Sequence, residues 1–432
     1  MELSGLQDYI EREDLFTYIG KVKKISGMMI EATGRNFKIG EVCKVTTDKQ
    51  NKFVDAEVVG FNDGKVLLMP YEDIKGVGLG NIVTSTKNKL KIPVGDFLIG
   101  RVVDAKGRPM DDLGEFTSSE YCYVDSSYIN PLSRPRIHEK LEFGVKAIDG
   151  LLTIGKGQRM GIFSGSGVGK STLMGMVAKN VKTDVNVIAL VGERGREVKE
   201  FIEKDLGEEG MARSVLVVAT SDQPAMLRMK CALVATTIAE YFKNQGKDVL
   251  LMMDSLTRFA MAQREIGLAT GEPPVARGYT PSIYAELPKL LERSGNFGTG
   301  SITGIYTVLV EGDDTNEPIA DTVRGIVDGH IVLSRKLAHG NHYPAIDING
   351  SISRLMNDIA SKEHNDEAKK LRDILAVYYA NQDLISIGAY KKGNNPALDN
   401  AVDKIDGVNA FLQQKTDEAF TEEETLKLME SI

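Results

Sequence analysis

Between residues 164 and 172 the chain reads Ser-Gly-Ser-Gly-Val-Gly-Lys-Ser-Thr. A glycine-rich turn ending in lysine and a hydroxyl suits phosphate, because successive backbone N–H groups point into one concavity backed by the positive end of a helix. In this reading Gly165, Ser166, Gly167, Val168 and Gly169 form the cradle, and Lys170 reaches the β- and γ-phosphates. The Ser171 hydroxyl, with Thr172 beside it, faces Mg²⁺. The general pattern places glycine six positions before the lysine, and Ser164 stands there instead. A second chemical element is Asp254, at the end of the apolar run Val249–Met253, where Mg²⁺ and its waters need a fixed anion. Arg258 follows one helical turn later. A third is Glu193, beside Arg194 and just past the apolar run Val187–Val191. Phosphoryl transfer to water needs such a carboxylate to orient the attacking oxygen; Glu197 is the reserve. By residue type alone, Tyr343 reads equally as a core aromatic, and Arg354 as a solvated charge.

These residues need a frame. Arg159–Phe163 has the length and apolarity of a buried strand, and Leu173–Ala178 has the composition of a helix opening, so the phosphate turn sits between strand and helix. Val187–Val191, Ser214–Ala219, Val249–Met253 and Ile302–Val310 suit strands buried on both faces. Ser221–Asn244 and Ala262–Ile266 carry helical patterns between them. Such alternation predicts an α/β fold with a mostly parallel sheet flanked by helices. Upstream, Tyr18–Ile25, Met28–Ala32, Gly40–Thr46, Phe53–Phe61 and Lys65–Met69 are short β-rich runs that suggest a small barrel or sandwich. Lys91–Val103, a turn at Asp104–Pro109 and the proline-bearing connector Ile129–Arg136 lead into the phosphate-binding region. From about Leu355 strand character is lost. Ala368–Tyr379, Pro396–Ile405 and Thr421–Met429 look helical, the last opened by a Thr421/Glu424 capping box. At the amino terminus, Leu3, Leu6, Tyr9 and Ile10 form a short helical stripe.

The 432 residues suffice for two or three domains, and 42% hydrophobic with 26% charged residues is ordinary for a soluble globular chain. A formal net charge of −8 argues against a protein whose main work is binding nucleic acid. Cys43, Cys122 and Cys231 are too few and scattered for a disulfide framework or a zinc site, which points to a reducing compartment. The acidic amino terminus does not resemble a signal peptide, and no apolar run approaches the ~20 residues that span a bilayer. A cytoplasmic protein able to dock on a membrane machine is expected.

Together these motifs resemble the hexameric ATPases that include the subunits of rotary ATP synthases, and within them the ATPases of flagellar and type III protein export. The resemblance covers nearly the whole chain. Ser164–Ser171 is similar to the phosphate loop of the export branch, as are Gly-Glu-Pro-Pro-Val-Ala-Arg-Gly-Tyr-Thr-Pro-Ser (271–282), Ala285–Arg293 and Ile-Gly-Ala-Tyr (387–390). It implies four regions: a partner-binding segment (1–17), a β-barrel (18–90), a RecA-like P-loop ATPase domain (91–354) and a helical domain (355–432). It implies that Glu193 is the base, with Arg194 nearby, and that Arg258 touches the γ-phosphate region. By the same resemblance Tyr343 stacks on adenine, and Arg354 is a finger offered to the neighbouring subunit. ATP and Mg²⁺ are the implied ligands and a homohexamer the implied assembly, since one chain carries both base and finger. A stator-like regulator at the amino terminus, a coiled-coil stalk in the ring, a membrane export gate and substrate–chaperone complexes are the implied partners, with the loop Gly267–Tyr279 facing the pore and peripheral association with the export apparatus. A rotary ATPase subunit, a ring-shaped RNA translocase and a non-catalytic nucleotide-binding scaffold are the rival readings.

Overall fold

The structure is a computed structural model describing residues 16–48, 52–124, 130–310 and 317–432. The amino-terminal stripe and Ile129 lie outside the described residues. Six antiparallel strands, Ile19–Ser26, Met29–Thr33, Glu41–Thr46, Phe53–Asn62, Lys65–Pro70 and Ile82–Lys89, close into a barrel. Alternate residues such as Cys43, Val45, Ala56, Val58, Val66 and Leu68 fill its interior, as a period of two requires. Five of these strands start within a residue of the sequence reading. The sixth escaped it because Ile-Val-Thr-Ser-Thr-Lys-Asn-Lys is mostly polar, yet this strand closes the barrel and excludes the sandwich.

The central sheet has nine strands. In order they are Ile346–Ser353, Gly329–Leu333, Arg159–Ser164, Ser301–Leu309, Asp248–Asp254, Val185–Glu193, Ser214–Thr220 and Val102–Asp104, with Gly295–Asn296 paired beside Ser301–Leu309. The pairings are parallel except for Gly295–Asn296 and the edge strand Ile346–Ser353. Every residue of Val185–Glu193 is buried: Val187, Ala189 and Val191 face one core, Ile188 and Leu190 the other. Burial on both faces explains why these runs are continuously apolar instead of alternating.

Helices Ala225–Asn244 and Leu256–Ala269 cover one face, while Lys146–Leu151 and Lys170–Asn180 cover the other. The carboxyl-terminal helices Lys362–Ala380, Pro396–Leu412 and Glu422–Glu430 join that second core through Leu371, Ile405, Phe411 and Met429. The Thr421/Glu424 capping box is formed. Several expected bounds move for local reasons. The helix expected from Ser221 starts at Ala225, after Pro224. The one expected over Ala262–Ile266 runs from Leu256 to Ala269, because the Ser255 side chain caps its start by accepting from Arg258 N. The strand Gly329–Leu333 and the edge strand Ile346–Ser353 beside it were not anticipated. Among the described residues no helix is long and apolar enough to cross a membrane, and all three cysteines are free.

Candidate nucleotide site

The strand Arg159–Ser164 ends in the phosphate loop, and Lys170 opens the helix Lys170–Asn180. Ser164 belongs to the strand, buried, with its carbonyl accepting from Val310 N at 3.0 Å. A serine fits there because the backbone is still extended, which accounts for the departure from glycine. Further on the backbone calls for glycine at Gly167 and Gly169, whose φ angles are 77° and 85°. At Gly165 an added Cβ would lie 2.6 Å from Arg335 Nη2, and at Gly169, which precedes the helix, it would meet the Tyr343 ring at 3.3 Å. The Ser166 and Ser171 side chains stand at the exposed mouth of the loop.

Lys170, Asp254 and Glu193 are brought together. Their strands, Arg159–Ser164, Asp248–Asp254 and Val185–Glu193, deliver them to the carboxyl edge of the sheet, where open α/β sheets bind ligands. The Lys170 ammonium donates to Asp254 Oδ1 and lies 3.9 Å from Glu193 Oε1. Thr307, on the strand between Lys170's and Asp254's, donates to the same Asp254 oxygen at 2.7 Å. Arg258 Nε donates to Glu193 Oε1 at 3.2 Å. Glu193 is the last residue of its strand and is 6% exposed, so the strand runs two residues past the apolar run Val187–Val191. Burial first, and the Asp254 charge second, push its carboxyl up to about 7 against the pull of Lys170 and Arg258. That value suits a group that must take a proton near neutral pH.

Tyr343 is 41% exposed, so it is not a core aromatic. Its ring lies over Gly169 and lines a cavity of about 1000 Å³ that runs from Thr172 to Phe420. Arg194 points outward with Glu197 as its partner at 3.4 Å, and the fold does not bring it to Lys170. Arg354 is also elsewhere. It follows Ser353, whose register partner is Gly329, and its backbone N–H donates to Asp328 O at 3.0 Å. Asp328 in turn takes hydrogen bonds from Arg159, the first residue of the phosphate-loop strand. Arg354 is therefore level with the amino edge of the sheet. Five residue steps of about 3.3 Å put it about 17 Å from the end of the strand that carries its own phosphate loop.

Sequence reasoning missed Thr307 and Arg335. A threonine inside an apolar strand is a faint signal for the first, and only the tertiary approach to Gly165 reveals the second. The donor set fits a magnesium nucleotide: an exposed helix-start hydroxyl at Ser171, a lysine now held by carboxylates that phosphate would replace, and a fixed carboxylate at Asp254.

Three family regions match in chain order: the ATP synthase alpha/beta family beta-barrel domain over residues 22–87, its nucleotide-binding domain over 144–353, and the type III secretion EscN ATPase C-terminal domain over 360–431. The flagellum-specific ATP synthase of Bacillus subtilis is 53% identical, covering 100% of this chain and 99% of that one. The type 3 secretion system ATPase of Xanthomonas euvesicatoria is 48% identical over 96% of this chain and 93% of its own. The assembled ATPase EscN of the enteropathogenic E. coli type III secretion system superposes with a TM-score of 0.91 at 46% identity, covering 95% of this chain and 99% of that chain. With likeness running through barrel, nucleotide-binding region and helical end alike, the chain belongs to the flagellum-specific and type III secretion ATPases, ATP-hydrolysing enzymes built on the ATP synthase alpha/beta fold.

Proposed function

We propose that this chain hydrolyses MgATP at the seams of a homohexamer, each seam combining one subunit's phosphate loop with the next subunit's Arg354. The separation of Arg354 from its own Lys170–Asp254–Glu193 cluster carries this reading, since an arginine about 17 Å away cannot touch a γ-phosphate held by that loop. In the proposed reaction Gly165–Gly169 and Lys170 hold the phosphates, and Tyr343 stacks on adenine. Ser171 and Asp254 would hold Mg²⁺, which when bound would supply charge neutralisation on the phosphates. Glu193 orients a water and takes its proton. Arg258 aims Glu193 and sits beside the γ-phosphate region. Arg354 of the neighbouring subunit meets the charge that develops as the terminal phosphate leaves.

The solved relatives support the assembly: EscN is described as assembled, and a second structure holds it with its central stalk EscO. By likeness, this chain forms a ring around a coiled-coil stalk and works in flagellar or type III protein export. Hydrolysis there promotes release of substrates from chaperones and their admission to a membrane export gate, with residues 1–17 taking a stator-like regulator.

Specific activity measured against protein concentration tests the core of the proposal. Turnover per chain is expected to rise steeply as monomer gives way to ring. A constant turnover down to concentrations where only monomer exists overturns it. Co-purification of rod and hook components, or instead of injected effectors, decides the export branch.

A further inference from the structure

The cavity beside Tyr343 contains a cation that the mechanism above does not use. Lys146, first residue of the helix Lys146–Leu151, is 7% exposed and lines this cavity with Gly169, Thr172, Tyr343, Gln413 and Phe420. Its backbone is fixed, because Lys146 N donates to Gln414 Oε1 at 2.9 Å, while Gln414 Nε2 donates to Gly144 O at 2.8 Å. Its ammonium lies 4.7 Å from the Phe420 ring centroid and 5.7 Å from that of Phe411. Among the described residues it makes no hydrogen bond or ion pair; Glu418, on the same cavity wall, acts on it only through space.

Two aromatic faces recover part of what a buried ammonium loses on leaving water, and the remainder calls for a hydrogen-bond acceptor. Burial accordingly pushes the Lys146 ammonium below its ordinary range. Which part of a ligand supplies the acceptor follows from the cavity's two ends. Near Gly169 and Thr172 it opens on the phosphate loop, where backbone N–H groups and Lys170 already meet the phosphates. Lys146 lies away from the loop, two residues after Gly144, which packs on Asn180 at the far end of the helix Lys170–Asn180, and its ammonium stands between Phe420 and Phe411, a setting for a flat ring and not for an anion.

We infer that Lys146 reads the nucleotide base, donating a hydrogen bond to a ring nitrogen of the purine stacked on Tyr343. The inference rests on the assignment of this cavity to the nucleotide. A lysine has donors and no acceptor, so it recognises an unprotonated ring nitrogen and leaves the exocyclic amine to other groups. It acts in binding, at a distance from the reacting phosphate.

The test is equilibrium binding to the full chain, wild type and Lys146→Met, of ATP, inorganic triphosphate and the 1-deaza, 3-deaza and 7-deaza analogues of ATP. One analogue is expected to bind wild type about tenfold or more weaker than ATP, the size of a lost hydrogen bond to a charged donor. Lys146→Met should weaken ATP by the same factor, leave that analogue and triphosphate unchanged, raise KM and spare kcat. Lys146→Arg, which keeps the charge, should retain the discrimination. A parallel loss for ATP and all three analogues, or no loss at all, overturns the inference and leaves Lys146 a clasp between Phe420 and Phe411. Should Lys146→Met not fold, wild type alone decides, because equal binding of ATP and all three analogues means that no ring nitrogen is read. If Tyr343→Ala binds ATP as wild type does, the assignment of the cavity itself fails; if only the Lys146 effect is missing, that assignment stands.

Discussion

The two edges of the central sheet handle charge in opposite ways. At the carboxyl edge Lys170, Asp254 and Glu193 have side chains 13%, 5% and 8% exposed and neutralise one another, with Thr307 and Arg258 completing the set. At the amino edge Arg354 is exposed, and its guanidinium donates to a carbonyl, Arg324 O at 3.2 Å, with no carboxylate partner among the described residues. A closed cluster is stable without its substrate, and phosphate binding must exchange the Lys170–Asp254 contact for a Lys170–phosphate one. An open arginine has little to give up before meeting a neighbour's nucleotide. In the proposed ring, arrangement by edge, more than any single residue, would make the seam and not the subunit the working unit.

Breaking the amino edge has the largest expected effect. Arg354→Ala should lower hydrolysis by about 10³ to 10⁵ while ATP affinity in the isolated chain is unchanged. The sharper form mixes two dead variants. Rings made from roughly equal amounts of Glu193→Ala and Arg354→Ala chains set an intact base against an intact neighbouring finger at about one seam in four. Activity that returns on mixing places the finger in trans; a mixture as dead as its parts places it in cis.

At the carboxyl edge, Glu193→Ala alone should cost about 10² to 10⁴ in rate. The pH dependence carries a definite sign. As the proposed base, Glu193 works only when ionised, and its carboxyl is raised to about 7, so kcat/KM should climb as pH passes through about 7. Arg258→Gln removes a charge that favours the ionised form and should move that limb to higher pH. For folding the sign reverses. A carboxyl whose folded value lies above its ordinary 4.5 contributes stability that is present below about 4.5 and lost as pH rises through about 7. Glu193→Gln should therefore be inactive yet more resistant to urea than wild type at pH 8, and a lower midpoint would contradict the burial argument.

Local order in the sequence carried the carboxyl edge. The glycines, Lys170 and Ser171 are contiguous, and Asp254 ends an apolar run, so strand, loop and helix were readable together. Glu193 was found, but its burial was not, because Arg194, Arg196 and Glu197 make the stretch look solvated while the strand continues to Glu193 itself. Arg354 carried no local signal at all. Its meaning depends on the register Gly329 with Ser353, which places it opposite Arg159, and this strand pair has no continuous apolar run to announce it. Thr307 and Arg335 are legible only once three strands lie side by side. Residues announced by their neighbours in the chain were visible from local pattern; residues placed only by contacts across the sheet were not.

The smallest effects come from removing one support at each edge. Behind Asp254, Thr307→Val deletes the 2.7 Å bond to Oδ1; behind Arg354, Asp328→Asn weakens the hold on Arg159 Nε and Nη2 at 3.0 and 3.1 Å, next to the carbonyl that fixes Arg354 N. Thr307→Val frees the Asp254 carboxylate to turn, so, if that carboxylate holds Mg²⁺ as proposed, the Mg²⁺ concentration for half-maximal hydrolysis should rise about tenfold, as when a partner behind a metal ligand is lost. Asp328→Asn should leave Mg²⁺ and ATP dependence alone and lower the assembled ring's kcat, by up to about 10², because a shift of about 1 Å in a catalytic group is enough for that. Ring assembly, followed by light scattering, separates this from lost oligomerisation. If both variants move Mg²⁺ dependence together, the two edges are not independent, and the finger senses the metal through its own chain's sheet instead of through the neighbour.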